Sequence, residues 1–582
     1  MTGLRIKLAL MVAAGLVVGA ATAQTSGAPA GQPAGAATAP ASSGVPRPNA
    51  NAPIEINALG SPDGPAAGLL DSANGGMGQD IWSGSERAVI NELLSRVPLA
   101  STVYSVRSLA RKVVLTVADP PTGQAPHSFQ TMRLKALLDA GLVSDAARFA
   151  TQVQLRDDAE FMRAQAVAVL LGGTPADACS GSTASRQIST DPMWMQLRAY
   201  CYAVSDQHDL LELTRGVMKA EGADDQGFEV LLDDVLDHKT AQPREFHDPT
   251  PVEVFLLRQS GFPISPALAA KYGQAASMIA LRDAKNSPAA RADAAAQALH
   301  TGWVTSADLN AIADTQAFTP EQLANAENAA PALPVFLGEA LIRQALSLAS
   351  DDDQKTRLLA AALRMGRQMQ LLTVAVRMQE RGLLSVTPNP RFQAYVAPFA
   401  RALMLARQAD AGERWRESLD PNDVADQPLT AALAVELNLV ATDPGRARGA
   451  QDALQWLAAN AVSNQAVGGP EEQRCDATAV ALYYALDQPL PQGVAAAPLL
   501  AQKWPGRVLP PAARKKLEDL RGQPGRKGEA ILTILDAVGV LGPGDLAPDA
   551  IAFLVKDLKA EDEGEAARAL AIDALLLHQT AS

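Results

Sequence analysis

The stretch FQTMRLKALLDAGLVSDAARFA, residues 129–150, holds the pattern that decides the fold. Leu134, Leu137 and Leu138 recur at the three- and four-residue spacing that puts side chains on one face of an α-helix. Ala140-Gly141 ends that face, because glycine accepts the left-handed backbone conformation found just past helix ends. Ser144-Asp145 then opens a second helix carrying Ala146, Phe149 and Ala150. Small residues at the meeting faces let two helix axes come close. The stretch reads as one helix–turn–helix pair, the unit from which helical arrays are stacked.

The same alternation runs outward along the chain. Apolar helical segments at 161–171, 194–204 and 210–219 are followed by 289–300, which ends at Gly302. Thr305 or Ser306 caps a helix with Leu309 and Ile312. Thr319-Pro320-Glu321-Gln322 is a helix start, with Thr as N-cap, Pro at the first helical position and Gln three residues after the cap. Further segments follow at 341–348, 358–365, 371–378, 399–409, 411–415, 429–440, 450–459 and 477–486. Hydrophobic residues make up 48% of the 582 residues but aromatics only 4%; Ala and Leu fill the difference, which favours helix over sheet. The reading is all-α: a TPR-like helical-repeat array, an α-solenoid or superhelix, over residues 81–486. The competing reading is an irregular multi-helix globule, because the units drift in spacing and no invariant signature recurs. Residues 487–512, rich in Pro and Gly, read as a boundary before a C-terminal helical group at 513–582. Residues 53–80 read as irregular and Gly-rich, with a short extended piece at 53–59.

The N-terminus sets the compartment. MTGLRIKLALMVAAGLVVGAATAQ has Arg5 and Lys7 as a positive start, an apolar run over residues 8–20, and small residues at Ala21-Thr22-Ala23. That is the three-part layout of a secretory signal, residues 1–23, cleaved after Ala23. The apolar run falls short of the roughly 20 residues that span a bilayer, so an uncleaved anchor is the weaker reading. No later stretch is long and apolar enough for a span. Residues 24–52 are Ala, Pro, Gly and Ser with few bulky side chains, so their ordering entropy finds nothing to offset it; they read as a disordered tether. The expected address is the periplasm. The formal net charge of −13 argues against nucleic acid and anionic lipid as partners, since both require a basic footprint.

In an exported protein two of the three cysteines can pair oxidatively. Cys179 and Cys201 flank a loop and the next helix start, a spacing suited to a disulfide; Cys475 is left as a buried small hydrophobe.

The layout of leader, Ala/Pro tether, a GGMGQDIW segment at residues 75–82 and an Ala-rich helical body resembles exported alphaproteobacterial helical-repeat (TPR-like) proteins whose function is not assigned. The layout is also loosely similar to periplasmic helical motility accessory proteins. The resemblance covers most of the chain after the leader and implies no functional residue.

The chemistry-bearing residues are sparse. LLDDVLDHKTAQPREFHDPT holds Asp233, Asp234, Asp237, His238, Glu245, His247 and Asp248, ligand types suited to a divalent metal, but equally a solvated helix end. Asp351-Asp352-Asp353 lacks calcium-loop spacing and suits a helix N-terminus. No phosphate-cradling loop, nucleophile elbow or zinc-protease motif occurs. Soluble lytic transglycosylases carry an α-superhelix and a catalytic Glu-Ser, but Glu417-Ser418 offers only the dipeptide. No catalytic, cofactor or metal residue is assigned. Trp194, Trp303, Trp415 and Trp456 are spaced either as core anchors or as the lining of a groove for a partner segment. The expected function is a periplasmic scaffold or adaptor for another envelope protein, without catalysis. The rivals are an envelope hydrolase using Asp233, Asp237 and His238, and a chaperone-like binder of exported chains.

Overall fold

The computed structural model describes residues 64–153, 155, 158–179, 191–223, 225–238, 249–260, 273–420, 422–441, 447–463 and 469–579. The leader at 1–23, the tether at 24–52 and the extended piece at 53–59 lie outside the described residues. Every regular element among the described residues is helical, and only isolated bridges such as Leu70 to Thr116 have sheet-like pairing. No helix among them is long and apolar enough to cross a membrane.

The deciding stretch folds as two helices, Phe129–Asp139 and Val143–Gln152. The turn between them is a paired hydrogen-bond cap: the Gly141 amide donates to the Leu138 carbonyl and the Leu142 amide to the Leu137 carbonyl. Gly141 sits at φ +80°, where a β-carbon would be strained and would also meet Met278 and Gln274. Val143–Gln152 packs more extensively on the next helix, Ala159–Gly172, than on its predecessor. Val143–Gln152 is therefore shared between two pairings, as in a stack.

The same cap recurs without glycine. Asp206, Gln370, Arg407, Asp487 and Asp562 all have φ between +53° and +62°. At each, the following amide reaches back to the carbonyl five residues earlier, as from Leu371 to Gly366 and from Gln408 to Leu403. The turn repeats in backbone geometry while its residues vary, so the repeat is hidden in the sequence. N-caps are more legible. Thr319 and Gln322 form a capping box, Thr305 and Asp308 another, and Asp351 accepts the Gln354 amide at 2.8 Å.

The described residues fall in one compact unit, and its first and last helices meet. The helices Arg87–Leu94 and Tyr104–Leu115 pack on Lys527–Val538, and Tyr104–Leu115 also packs on Gly564–Gln579. Arg96 pairs with Asp536 at 3.1 Å across 440 positions, and Lys112 with Glu563 at 2.7 Å. In an open solenoid each repeat touches only its neighbours. Here Gly564–Gln579 touches Tyr104–Leu115, Val396–Leu405, Gln427–Val440 and Gly469–Ala485 as well as its own predecessor. The 487–512 stretch is consequently a connection within one unit. It contains the short helix Ala496–Ala501, and the helix Pro548–Ala560 beyond it packs back on Gly469–Ala485.

One residue of the deciding stretch behaves against its local pattern. Arg133 is fully buried, donating to the carbonyls of Val114, Ala67 and Thr116 at 2.7–2.8 Å, with its guanidinium over Phe149 at 4.7 Å. It ties the segment at Ala67 and the end of Tyr104–Leu115 to the repeat.

Candidate functional site: an arginine-lined cleft and an uncovered helix face

Closure of the body creates a cleft of about 680 Å³. Its walls come from segments far apart in the chain: Thr102 and Val103, the turn from Arg364 to Thr373, Arg474, Gly506 and Arg507, the 541–545 loop, and Leu577. The volume falls within the range of small-molecule sites, roughly 300–1,000 Å³.

Each wall has an identifiable support. Arg367 sits on the last turn of Asp352–Gln368 and Arg364 one turn before it, and the cap at Gln370 turns the chain into Leu372–Ser385. Those two helices touch where a β-carbon on Gly366 would lie 2.6 Å from the Ala375 β-carbon. Opposite, Arg507 donates to Asp545 and to the Val538 carbonyl, both at 2.8 Å, closing the end of Lys527–Val538. Gly542, at φ +91°, lets the loop lie against Val103; a β-carbon there would come within 2.7 Å of that side chain.

The cleft is electropositive within an acidic protein. Four arginines and one aspartate line it, and Asp545 is engaged by Arg507. Arg474 has Glu471 as its ion-pair partner. Arg364 and Arg367 have no ion-pair partner among the described residues. Burial foremost, and then the neighbouring Arg401 and Arg364, hold the Arg367 guanidinium below its ordinary value. Arg401 does not relieve this by sharing an acid, since it is held by Glu436 at 3.0 Å. Three lining side chains also carry a buried polar atom without a hydrogen-bond partner among the described residues: Arg367 Nε, Thr373 Oγ1 and Arg474 Nε. Such atoms are rare in native interiors, and each calls for a partner.

A second feature lies on the helix His208–Ala220. Leu211, Thr214 and Met218 are buried on one face, while Leu210, Leu213 and Val217 are 42%, 64% and 41% exposed on another. The exposed three share the spacing of a single stripe.

The residues singled out by sequence are distributed as follows. Cys179 and Cys201 are joined by a disulfide with their Cα atoms 5.4 Å apart, linking Pro175–Cys179 to Pro192–Val204; Cys475 is free and buried. The four tryptophans do not line one groove. Trp194 and Trp415 are buried in separate clusters, the latter edge-on to Phe399 at 5.1 Å. Trp303 is half-buried and donates from Nε1 to the Leu99 carbonyl at 2.7 Å. Trp456 borders an open space, a cavity of about 510 Å³ with Leu437, Asp452 and Arg416. Trp194 and Trp415 are taken up by the core, because large apolar rings at helix contacts are recruited by packing first. Asp233 pairs with Arg215 at 3.2 Å, and Asp237 and His238 are exposed beyond the end of Gln226–Leu236. Glu245, His247 and Asp248 lie outside the described residues. Among the described residues no group of three or more His, Cys, Asp or Glu is placed to hold a metal ion.

Sequence reasoning missed both features. Arg364 and Arg367, in LRMGRQ, read as ordinary cations near a helix C-terminus. Their one signal was the lack of an acidic residue three or four positions away. The stripe had a clearer signal, since Leu210, Leu213 and Val217 recur at helical spacing in HDLLELTRGVMKA beside the second apolar set of Leu211 and Met218.

The chain matches no protein-family model, no curated protein and no solved structure.

Proposed function

We propose that this chain works in the periplasm as a helical-repeat scaffold or adaptor that binds another cell-envelope protein and performs no catalysis of its own. The observation that carries the reading is the uncovered apolar face of His208–Ala220, at Leu210, Leu213 and Val217. The opposite face of that helix is anchored in the core through Leu211 and Met218, so the stripe is presented on a rigid support. Burying a stripe of this kind against a partner's apolar surface removes it from water, the main driving force for protein association. The stacking of successive helices supports a TPR-like array, here with its ends in contact. The leader at 1–23 supports export, and the exported Ala-rich helical-repeat proteins it resembles support the same setting.

The test is in-cell crosslinking and pull-down of the tagged chain, compared with Leu213→Glu. One or two near-stoichiometric envelope partners, lost in the variant, are expected. A broad smear of unrelated exported chains points instead to chaperone behaviour. A clean monomer without partners sinks the scaffold reading. N-terminal sequencing of the periplasmic fraction, expected to start at Gln24, tests the address.

A further inference from the structure

We propose that the arginine-lined cleft binds a small amphipathic organic anion. Arg364 and Arg367 would hold its carboxylate or phosphate, and its apolar body would lie against Val103, Leu372, Leu541 and Leu577. The inference stands apart from the scaffold reading, because the cleft and the Leu213 face are on different helices.

Three observations converge. The first is unbalanced charge: two guanidinium groups face the cleft without an ion-pair partner among the described residues, since Asp545 is engaged by Arg507, and beside them Arg401 is already committed to Glu436. Like charges gathered in a partly desolvated wall repel one another, and an anion reverses that energy. The whole chain is acidic, so the long-range field does not favour an anion. The affinity has to arise locally, which is what a concave site with low-dielectric walls permits. The second is unmet hydrogen bonding at three buried atoms of the wall, Arg367 Nε, Thr373 Oγ1 and Arg474 Nε, although the Arg474 fork itself is engaged by Glu471 and the Pro505 carbonyl. Guanidinium forks and a hydroxyl are the groups that suit planar carboxylates and phosphate oxygens. The third is the apolar part of the lining. Leu541 is 60% exposed in a loop that Arg507, Asp545 and Gly542 hold in place, so this exposure is built in. A free inorganic anion would leave Leu541 in water, whereas an alkyl or aryl body would cover it.

Arginine on a last helical turn also complements the helix dipole, which accounts for where Arg367 sits. It does not account for Thr373 and Arg474, which belong to other helices and are turned to the same cleft.

The test is isothermal titration of the purified chain with octyl phosphate and with octanoate, using inorganic phosphate and octylamine as controls. Saturable binding of at least one amphipathic anion is expected, weakening as salt is raised. Arg364→Gln with Arg367→Gln is expected to lower affinity by about tenfold or more per arginine removed. Arg148→Gln, on an exposed side chain away from the cleft, is expected to leave it unchanged. Should the double variant lose its fold by circular dichroism, Leu541→Glu replaces it: a carboxylate at the cleft rim is expected to repel both anions. Absence of saturable binding by either anion overturns the proposal, as does unchanged binding in the cleft variants. Equal affinity for octylamine overturns the assignment of charge, and equal affinity for inorganic phosphate overturns the apolar half of the ligand.

Discussion

Asp573, near the end of the chain, caps the helix Tyr104–Leu115 near its beginning: Oδ2 accepts the Ser105 amide at 2.9 Å while Oδ1 accepts Arg407 Nη2 at 2.9 Å. That helix has no side-chain cap of its own, since its N-cap residue is Val103. One buried carboxylate thus satisfies an orphan amide, balances the partial positive charge of a helix start and ties three parts of the chain together.

Replacing Asp573 with Ala leaves Arg407 and the helix start without their common acceptor. The expected loss is about 2–4 kcal/mol of stability, below the full penalty of a buried unpaired charge because Arg407 remains partly exposed. Asp573→Asn keeps one accepting oxygen and is expected to lose less. Urea unfolding of both variants measures the difference; an unchanged midpoint for Asp573→Ala would show that closure does not depend on this cap.

Gly528 tests the contact at the other side of the closure. A β-carbon there would lie 2.3 Å from the Trp82 ring, which is fully buried. Gly528→Ala gains up to about 1 kcal/mol of helix propensity, but overpacking a filled contact costs about 1–3 kcal/mol. The steric effect is expected to win, giving a lower Tm. A raised Tm in calorimetry would mean that Trp82 moves aside freely.

Glu339 gives the body a pH dependence. Burial pushes its carboxyl up to about 8, opposed by a hydrogen bond from Gln379 Nε2 at 2.9 Å. The unfolded chain loses that proton near the ordinary 4.5, while the folded chain keeps it to about 8. The folded state therefore binds more protons within this window, so the contribution is complete below 4.5 and disappears as pH rises to about 8. Glu339→Gln removes the ionisation and keeps an amide partner for Gln379. Relative to the wild type, the variant is expected to gain stability between pH 5 and pH 8 by on the order of a few kcal/mol. Parallel stability curves over that range would contradict the shift. Asp476, raised to about 7 chiefly by burial, adds a slope of the same sign in both proteins and cancels in the comparison.

The thiol count follows from the two cysteine environments. Burial pushes the Cys475 thiol up to about 12, and Cys179 and Cys201 are joined to each other. Native protein is expected to react negligibly with a thiol reagent, denatured protein at one cysteine, and denatured reduced protein at all three. Serine at both Cys179 and Cys201 is expected to lower stability by about 3 kcal/mol, the effect of opening a loop of this length in the unfolded chain. Three thiols reacting in unreduced denatured protein would refute the pairing.

Local signals were readable wherever the physics is local. Thr319, Thr305 and Asp351 cap helices through atoms three residues away, so their roles are written in short strings. The turn at Gly141 was legible because glycine advertises a left-handed backbone. The equivalent turns at Arg407, Gln370 and Asp487 were not, because there the packed helices on either side hold an ordinary residue in that conformation. Arg133 failed for the same reason in reverse: its carbonyl partners at Ala67, Val114 and Thr116 come from other segments, and no pattern within residues 129–150 shows them.

From its sequence alone the protein was determined as a chain of Ala- and Leu-rich helices, because side-chain spacing, propensity and capping act within a turn or two. Only the tertiary structure decided that the first and last described helices meet, that Asp573 caps a helix more than four hundred residues upstream, and that Arg364, Arg367, Arg474 and Arg507 share one cleft. Those relationships depend on which apolar faces bury each other. Hydrophobic burial carries no direction, so it sets these partners only when every helix is packed at once.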